Sequence, residues 1–182
     1  MTVKGLVFLL IILFCVSSVY AKTRSIAFSG FTWRVKKSRS PVGPGPNYYS
    51  DSSKNVWVDE AGYLHLKIRR SGPNWFCSEV ICDQSLGYGT YLFSLNGDFN
   101  NFDPEIVIGL FTWSIDPAYH NREIDIELTR WSRPESENMQ YTVQPWNGEN
   151  NYKKLFFDYK GRDSIHSFTW KPDSIVFESW DT

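Results

Sequence analysis

The sequence is poor in cysteine, which limits how far disulfide bonds can contribute to its fold. Its 182 residues include three cysteines, and only Cys77 and Cys82 lie beyond residue 21. Residues 76–82 predict one strand, on which side chains five apart face opposite ways with Cα atoms roughly 16 Å apart. A disulfide bond needs these atoms within about 7 Å of each other. We therefore expect Cys77 and Cys82 to be free, mostly buried thiols.

The sequence also lacks an excess of positive charge. The net charge is −1 at pH 7, and without Lys4 the chain carries 18 basic against 20 acidic residues. Proteins that bind nucleic acid neutralise phosphates with a surplus of Lys and Arg. Nucleic acid is therefore not an expected partner, whereas a neutral polymer is compatible with this charge balance.

The apolar run over residues 6–16 is shorter than the roughly 20 residues that span a bilayer. It follows Lys4 and precedes Val19-Tyr20-Ala21, an order typical of a secretory signal peptide. We expect a leader over residues 1–21 that is cleaved near Ala21 and Lys22. The mature chain is then predicted to be secreted, without stable membrane insertion, and to form one domain over residues 22–182.

Aromatic residues, in contrast, are abundant: they make up 17% of the chain and include eight tryptophans. Core packing accounts for most of them, but the fraction also suits a cleft in which flat sugar rings stack on side chains. Many short strand-like segments alternate with turns rich in Gly, Pro and Asn, and no helical pattern is longer than a turn. These features predict an all-β sandwich or barrel.

Residues 122–128 alternate acidic and aliphatic side chains with the period of a β-strand. One face of this strand carries the aliphatic residues Ile124, Ile126 and Leu128. The other face carries the acidic residues Glu123, Asp125 and Glu127. Like charges on one face repel, so folding alone does not favour this arrangement. Two carboxylates of unequal pKa are, however, the groups that cleave a glycosidic bond. The alternative is a solvent-facing strand that uses acids for solubility or to block edge pairing.

The stretch Glu123-Ile124-Asp125-Ile126-Glu127 resembles the Glu-x-Asp-x-Glu signature of glycoside hydrolase family 16, which includes lichenases, laminarinases and xyloglucan endotransglycosylases. Four further segments resemble family segments in the family's order: residues 78–80, 86–91, 109–113 and 166–175. The similarity runs from about Phe28 to the last residue. It implies the antiparallel jelly-roll sandwich of concanavalin A-like lectins and glucanases.

The resemblance implies that the chain is a retaining endo-glycosidase acting on a β-glucan-type polysaccharide. Glu123 is the expected nucleophile and Glu127 the acid/base, while Asp125 orients Glu123 and tunes both charges. Retention requires the two working carboxyls about 5–5.5 Å apart. Backbones four residues apart on a strand are roughly 13 Å apart, so the two glutamates must lean together. Crowding by the neighbouring charges should raise the pKa of Glu127.

Two predicted substrate contacts come from the resemblance alone. It places Asn47 in a loop near the non-reducing side of the cleft, although a plain surface loop is the alternative. It places Glu79 across the cleft from the catalytic strand, where the carboxylate holds a sugar hydroxyl. Ile81 stands where lichenases have an arginine, which weakens a lichenase-like substrate assignment.

Four more predicted contacts come from strand periodicity. Phe111 and Trp113 share a face, so one or both of them, Trp113 in preference, would form the floor of the cleft, with core packing as the alternative. Gln144 and Trp146 also share a face, and they lie beside the acids if the strands pair antiparallel. Gln144 would then hydrogen-bond the substrate and Trp146 would stack on it.

Three other functions remain open from the sequence. A transglycosylase, which transfers the sugar to another sugar instead of water, would use the same residues. The chain ends at Thr182 within a strand-like segment where family members continue, so we expect the C-terminal strands of the family to be missing. A carbohydrate-binding protein without turnover is therefore the alternative from another class, and a plain structural sandwich is the third.

The regular, bulge-free spacing of the acids resembles that of the lichenases and xyloglucan endotransglycosylases within the family, and this resemblance implies a β-glucan with 1,4 linkages. No cofactor is expected. Structural calcium occurs in some family members, but no distinctive set of metal ligands is seen in this sequence. The expected partner is a neutral polysaccharide, and the expected oligomeric state is a monomer.

Overall fold

The computed structural model describes residues 23–182, so the predicted signal peptide and its cleavage site lie outside the described residues. Within these residues strands dominate, and helical structure is confined to two short 3-10 helices. The all-β prediction is therefore confirmed. No helix within residues 23–182 is long and apolar enough to cross a membrane. Contacts divide the chain after Ser85 into two compact units, and the single domain over residues 22–182 stays a prediction.

The described part of the first unit, residues 23–85, contains eight short strands. They are β1 (Ser25–Phe28), β2 (Phe31–Val35), β3 (Tyr48–Tyr49), β4 (Val56–Val58), β5 (Leu64–Leu66), β6 (Arg69–Ser71), β7 (Asn74–Cys77) and β8 (Val80–Cys82). They form three small sheets in the orders β1-β2-β8, β3-β7-β6 and β4-β5. Val35 and Val56 are fully buried and are the only two apolar side chains at 0% exposure in this unit's described part.

The single strand predicted over residues 76–82 is wrong, because β7 and β8 belong to different sheets. The chain leaves the β3-β7-β6 sheet at Ser78. The Ser78 hydroxyl donates to the Lys67 carbonyl oxygen at 2.7 Å. The two cysteines therefore lie on separate strands. Both thiols are free, as predicted, and they are half-buried.

The second unit contains seven strands. They are β9 (Gly89–Asn96), β10 (Ile108–Phe111), β11 (Ile124–Leu128), β12 (Met139–Val143), β13 (Tyr152–Leu155), β14 (Asp163–Trp170) and β15 (Ile175–Asp181). All pairings are antiparallel and give two sheets, in the orders β10-β11-β12-β13 and β15-β14-β9.

The core of the second unit lies between these two sheets. Ile124 and Ile126 of β11 are 1% and 0% exposed and pack in one cluster with Phe168 of β14. Burying such a side chain stabilises a fold by about 1.5–3 kcal/mol. The aliphatic face of the acidic stretch therefore anchors β11 to the opposite sheet, as the alternation predicts, and the acidic residues are directed to the other face.

A 3-10 helix over Pro117–Arg122 leads into β11. It corrects the expectation that no helical segment exceeds a turn. The Asp116 side chain accepts a hydrogen bond from the Ala118 backbone N–H at 2.9 Å, and Pro117 follows at the start of the helix. Both residue types favour a helix start. Glu123 is the residue that ends this helix, so it lies just before β11 and not within it.

Candidate active site

The acidic residues lie on the face of the β10-β13 sheet that points away from the core. Cross-strand pairing sets Asp125 opposite Thr142, and Glu127 opposite Gln140. The next strand adds Tyr152 opposite Thr142 and Lys154 opposite Gln140. Because partners across a ladder share a face, these polar side chains form one continuous surface.

This surface is the floor of an open groove of about 430 Å³, a volume in the range of small-molecule sites. The residues that line it are Glu123, Asp125, Glu127, Trp131, Gln140, Thr142, Gln144, Trp146, Tyr152 and Lys154. All of them belong to the second unit. The three acids therefore share one groove, which is also lined by the aromatic residues Trp131, Trp146 and Tyr152.

Asp125 is the most strongly perturbed acid in the groove. It is 8% exposed, and burial, with the charges of Glu123 and Glu127, raises its pKa to about 8. A side-chain hydrogen bond joins it to Glu123. At neutral pH the Asp125 carboxyl therefore holds a proton and donates it in a hydrogen bond to the Glu123 carboxylate.

Glu123 has competing influences on its pKa. Burial raises the pKa, while the hydrogen bond from Asp125 and the nearby His120 imidazole lower it. Both of the latter favour the ionised form. The net effect is a raised pKa for Glu123, and Asp125 and His120 limit how far burial raises it.

Glu127 also has a raised pKa, and burial is the largest cause. The charge of Glu123 adds to the effect, whereas a hydrogen bond from Gln140 and the Lys154 ammonium oppose it. The direction agrees with the sequence-based expectation, but desolvation matters more than the crowding of charges that we expected. Glu127 thus holds a proton to higher pH than a solvated glutamate does.

Gln140 is buried in the floor of the groove, at 6% exposure, and its amide makes several hydrogen bonds there. Its Oε1 accepts from the Trp131 indole N–H at 2.9 Å and from the Tyr152 hydroxyl at 3.2 Å. Its Nε2 donates to Glu127 and, at 3.3 Å, to the Thr142 hydroxyl. Every polar atom of this amide therefore has a partner.

Aromatic side chains flank the acids at both ends. Trp131 follows β11 on the Glu127 side, since it bonds to Gln140 opposite Glu127. Trp146 lies on the Glu123 side, because the Gln144 backbone N–H donates to the Glu123 carbonyl oxygen at 3.0 Å. Trp146 is 61% exposed and meets the Tyr152 ring edge to face at 6.4 Å. These exposed ring faces suit stacking against the apolar face of a sugar.

Of the six predicted substrate contacts, Gln144 and Trp146 line the groove with the acids. Phe111 and Trp113 are not among its lining residues. Phe111 pairs with Asp125 across the ladder. Trp113, which is exposed, stacks on the His120 ring at 5.7 Å. The roles of all four stay predictions.

Asn47 and Glu79 lie in the first unit. The exposed Asn47 amide donates to the Pro44 carbonyl oxygen at 3.0 Å. Glu79 forms an ion pair with Lys36 at 2.7 Å, and Lys36 also donates to the Gly43 carbonyl oxygen at 2.6 Å. A largely buried ion pair therefore occupies the carboxylate that was predicted to hold a sugar hydroxyl, and both sugar-binding roles stay predictions.

Sequence reasoning missed half of the groove. Trp131, Gln140, Thr142, Tyr152 and Lys154 were not among the candidates. Gln140 and Thr142 carried a usable signal, because they alternate with Met139 and Tyr141 in step with Gln144. Trp131 carried none, since its placement depends on the loop between β11 and β12.

In the part of the chain that the structure describes, no group of three or more His, Cys, Asp or Glu side chains is arranged to hold a metal ion. The polar groups that line the groove are carboxyls, amides, hydroxyls, an indole N–H and the Lys154 ammonium.

Comparison with known proteins gives structural likeness only. No protein-family model matches the chain, and no curated protein matches it. A β-glucanase of Bacillus licheniformis superposes with a TM-score of 0.61 and 23% identity, over 81% of this chain and 67% of that one. A lichenase from a mouse hindgut metagenome gives 0.59 and 22%, over 81% and 68%.

A Mycobacterium tuberculosis protein, described as an immunostimulatory antigen and pseudo β-1,3-glucanase, gives a TM-score of 0.59 and 23% identity, over 81% of this chain and 63% of that one. The chain thus spans about two thirds of the length of these proteins. At such identities the likeness concerns the fold. We conclude that this chain has the jelly-roll β-sandwich fold that these glucanases share.

Proposed function

We propose that the groove of the second unit cleaves glycosidic bonds of a β-glucan-type polysaccharide with retention of anomeric configuration. The observation that carries the proposal is the set of three carboxyls, Glu123, Asp125 and Glu127, within one groove whose ends carry Trp131 and Trp146. Each carboxyl has a different set of charge and hydrogen-bond partners. Such differences separate a nucleophile from an acid.

In the first step a Glu123 carboxylate oxygen attacks the anomeric carbon, and the bond from that carbon to the bridging oxygen breaks. Glu127 gives its proton to the departing oxygen, and a glycosyl ester forms on Glu123. In the second step water attacks the same carbon and gives a proton to Glu127, and the ester breaks to restore the Glu123 carboxylate.

The proton distribution supports these roles. The hydrogen bond from Asp125 and the charge of His120 oppose the effect of burial on the pKa of Glu123, which favours its carboxylate form, whereas burial is the largest cause of the raised pKa of Glu127, which favours its protonated form. Activity should therefore fall at low pH as Glu123 gains a proton, and at high pH as Glu127 loses one. The leader pattern of residues 1–21 supports a secreted protein. We further propose that the protein acts on a neutral polysaccharide as a monomer and needs no cofactor.

Replacing the nucleophile tests the proposal. We expect Glu123→Ala to lower the turnover of β-glucans by more than about 10³-fold. Azide should restore turnover of an aryl β-glucoside with a good leaving group, because azide attacks from the side that Glu123 vacates. The product should be the α-glucosyl azide, identified by proton NMR.

The matched control is Glu178→Ala. Glu178 is an exposed acid of β15, in the other sheet, and its removal should leave activity unchanged. An active Glu123→Ala variant, or an azide product of β configuration, would contradict the assignment of Glu123.

Binding without turnover is the second candidate. It is favoured by the likeness to the M. tuberculosis protein, which is described as a pseudo β-1,3-glucanase. Under this alternative, isothermal titration detects oligosaccharide binding that Trp146→Ala weakens, while no reducing sugar is released from any β-glucan. Transglycosylation is separated from hydrolysis by adding an acceptor oligosaccharide and looking for longer products by mass spectrometry.

A further inference from the structure

The Gln140 amide is held in one orientation by an obligate donor, the Trp131 indole N–H. An indole N–H can only donate, and the Trp131 indole donates to Gln140 Oε1 at 2.9 Å. The Tyr152 hydroxyl donates to the same oxygen at 3.2 Å. The other end of the amide, Nε2, must therefore face Glu127, and it is a donor only.

This orientation decides which oxygen of Glu127 can hold a proton. Gln140 Nε2 donates to Glu127 Oε2, so a proton on that oxygen would oppose an N–H group. The proton of Glu127 must then be on Oε1. Only that oxygen is left to protonate a departing group.

The backbone shows that the position of Trp131 is specified and not incidental. Trp131 and Ser132 have φ angles of 48° and 59°, a conformation that side chains other than glycine adopt at a cost. Two hydrogen bonds hold this turn. The Trp131 N–H donates to the Thr129 hydroxyl at 3.1 Å, and the Ser132 N–H donates to the Pro104 carbonyl oxygen at 2.8 Å.

We propose that Trp131 is a positioning residue for the acid/base: its indole N–H, acting through Gln140, fixes the proton of Glu127 on Oε1. Tyr152 supports the same oxygen of Gln140 from β13. The inference rests on the proposed role of Glu127 as acid/base. It assigns Trp131 a task besides any stacking of its ring on a sugar.

Trp131→Phe separates the two tasks, because it keeps an aromatic ring and removes the N–H donor. Gln140 is then free to turn its oxygen toward a protonated Glu127, which favours the neutral carboxyl. We expect the pKa of Glu127 to rise by about half a unit or more. The double variant Trp131→Phe/Tyr152→Phe should raise it further.

The measurement is carbon-13 NMR titration of the full chain with labelled glutamate side chains, in which Glu127 is assigned by its loss in Glu127→Gln. Trp180→Phe, on β15 of the other sheet, is the control and should leave the titration unchanged. Tyr152→Phe tests the same oxygen without touching the strained turn, so the proposal stays testable if Trp131→Phe fails to fold.

Kinetics provide the second readout. In Trp131→Phe we expect kcat to fall about tenfold with KM within about twofold of wild type, and the alkaline limb of the pH profile to move up by the shift seen in the titration. A loss of sugar stacking alone would raise KM and leave the limb in place.

The outcomes separate the two proposals. Unchanged titration of Glu127 in Trp131→Phe, Tyr152→Phe and the double variant overturns the positioning role, whatever the activity. A wild-type protein that cleaves no glycan overturns the proposed function. A shifted Glu127 titration in the variants would still support the positioning role of Trp131.

Discussion

Asp125 lies between the two glutamates in sequence, and it is the group in the groove for which ionisation costs most. The residue is 8% exposed, and burial with the neighbouring charges raises its pKa to about 8. The strand period predicts that it shares a face with Glu123 and Glu127. The period does not predict which of the three holds the proton, because that depends on depth below the surface and on partners from other strands.

Removing the ionisable group at Asp125 should change how stability depends on pH. A folded-state pKa raised above the unfolded value means that the contribution is present at low pH and is lost as pH rises from about 4 through about 8. We expect Asp125→Asn to lack this loss. Because the shift is about four pKa units at about 1.4 kcal/mol each, the variant's advantage in unfolding free energy over wild type should grow by on the order of 5 kcal/mol between pH 4 and pH 9.

Thermal unfolding of both proteins across this range measures the difference. Contributions from all other groups cancel in the comparison unless they touch Asp125. If the unfolding free energies of the two proteins changed in parallel from pH 4 to pH 9, the pKa of Asp125 would not be raised in the folded protein.

At the scale of elements, β14 carries an unusual polar centre within the sandwich of the second unit. His166 is fully buried, with Nε2 at 3.0 Å from the Ser164 hydroxyl and Nδ1 at 2.8 Å from the Ser179 hydroxyl of β15. Tyr141 of β12 donates to the same Ser179 oxygen at 2.7 Å. The network therefore ties together strands from both sheets through neutral hydrogen bonds.

Acid should weaken this network. Burial lowers the pKa of His166 to about 4, whereas an unfolded histidine titrates near 6.5. Between about pH 6.5 and pH 4 the histidine is therefore protonated in the unfolded chain but neutral in the folded chain. The free energy of unfolding falls as the pH drops through this interval. We expect His166→Gln to be less stable at pH 7 but to lose less stability over this interval.

Urea unfolding at several pH values between 7 and 4 checks the prediction. Equal losses in wild type and His166→Gln would mean that other groups, such as the acids of the groove, account for the acid sensitivity.

Element boundaries show where sequence reasoning succeeded and where it failed. The aliphatic alternation of β11 was sufficient to predict this strand and its buried face, because Ile124, Ile126 and Leu128 all lie on that face. The break between β7 and β8 was not predictable, since it depends on hydrogen bonds of Ser78 to the distant Lys67. The 3-10 helix before Glu123 was predictable from Asp116 and Pro117, but the short length of the segment obscured it.

At the scale of the whole molecule, the sequence predicts the sandwich but not the division at Ser85. Composition, short strands and turn residues establish the all-β class. The grouping of contacts that makes residues 86–182 a compact unit depends on pairings such as β9 with β14, whose strands are more than 60 residues apart along the chain. Pairings over such distances are not encoded in any local pattern.

Limited proteolysis should reveal this division. Residues 83–90 are exposed throughout, and residues 83–88 belong to no strand. We expect chymotrypsin at low ratio to cut first after Leu86 or Tyr88, which are 45% and 60% exposed, because this segment can open without breaking a sheet. Intact-mass spectrometry of the first products identifies the site, and Leu86→Ser/Tyr88→Ser should slow the cut.

The aromatic loops of the groove offer the competing sites. Trp131 is held by its hydrogen bonds to Gln140 and Thr129, so a first cut there would mean that the turn which positions Trp131 opens more readily than the link between the units.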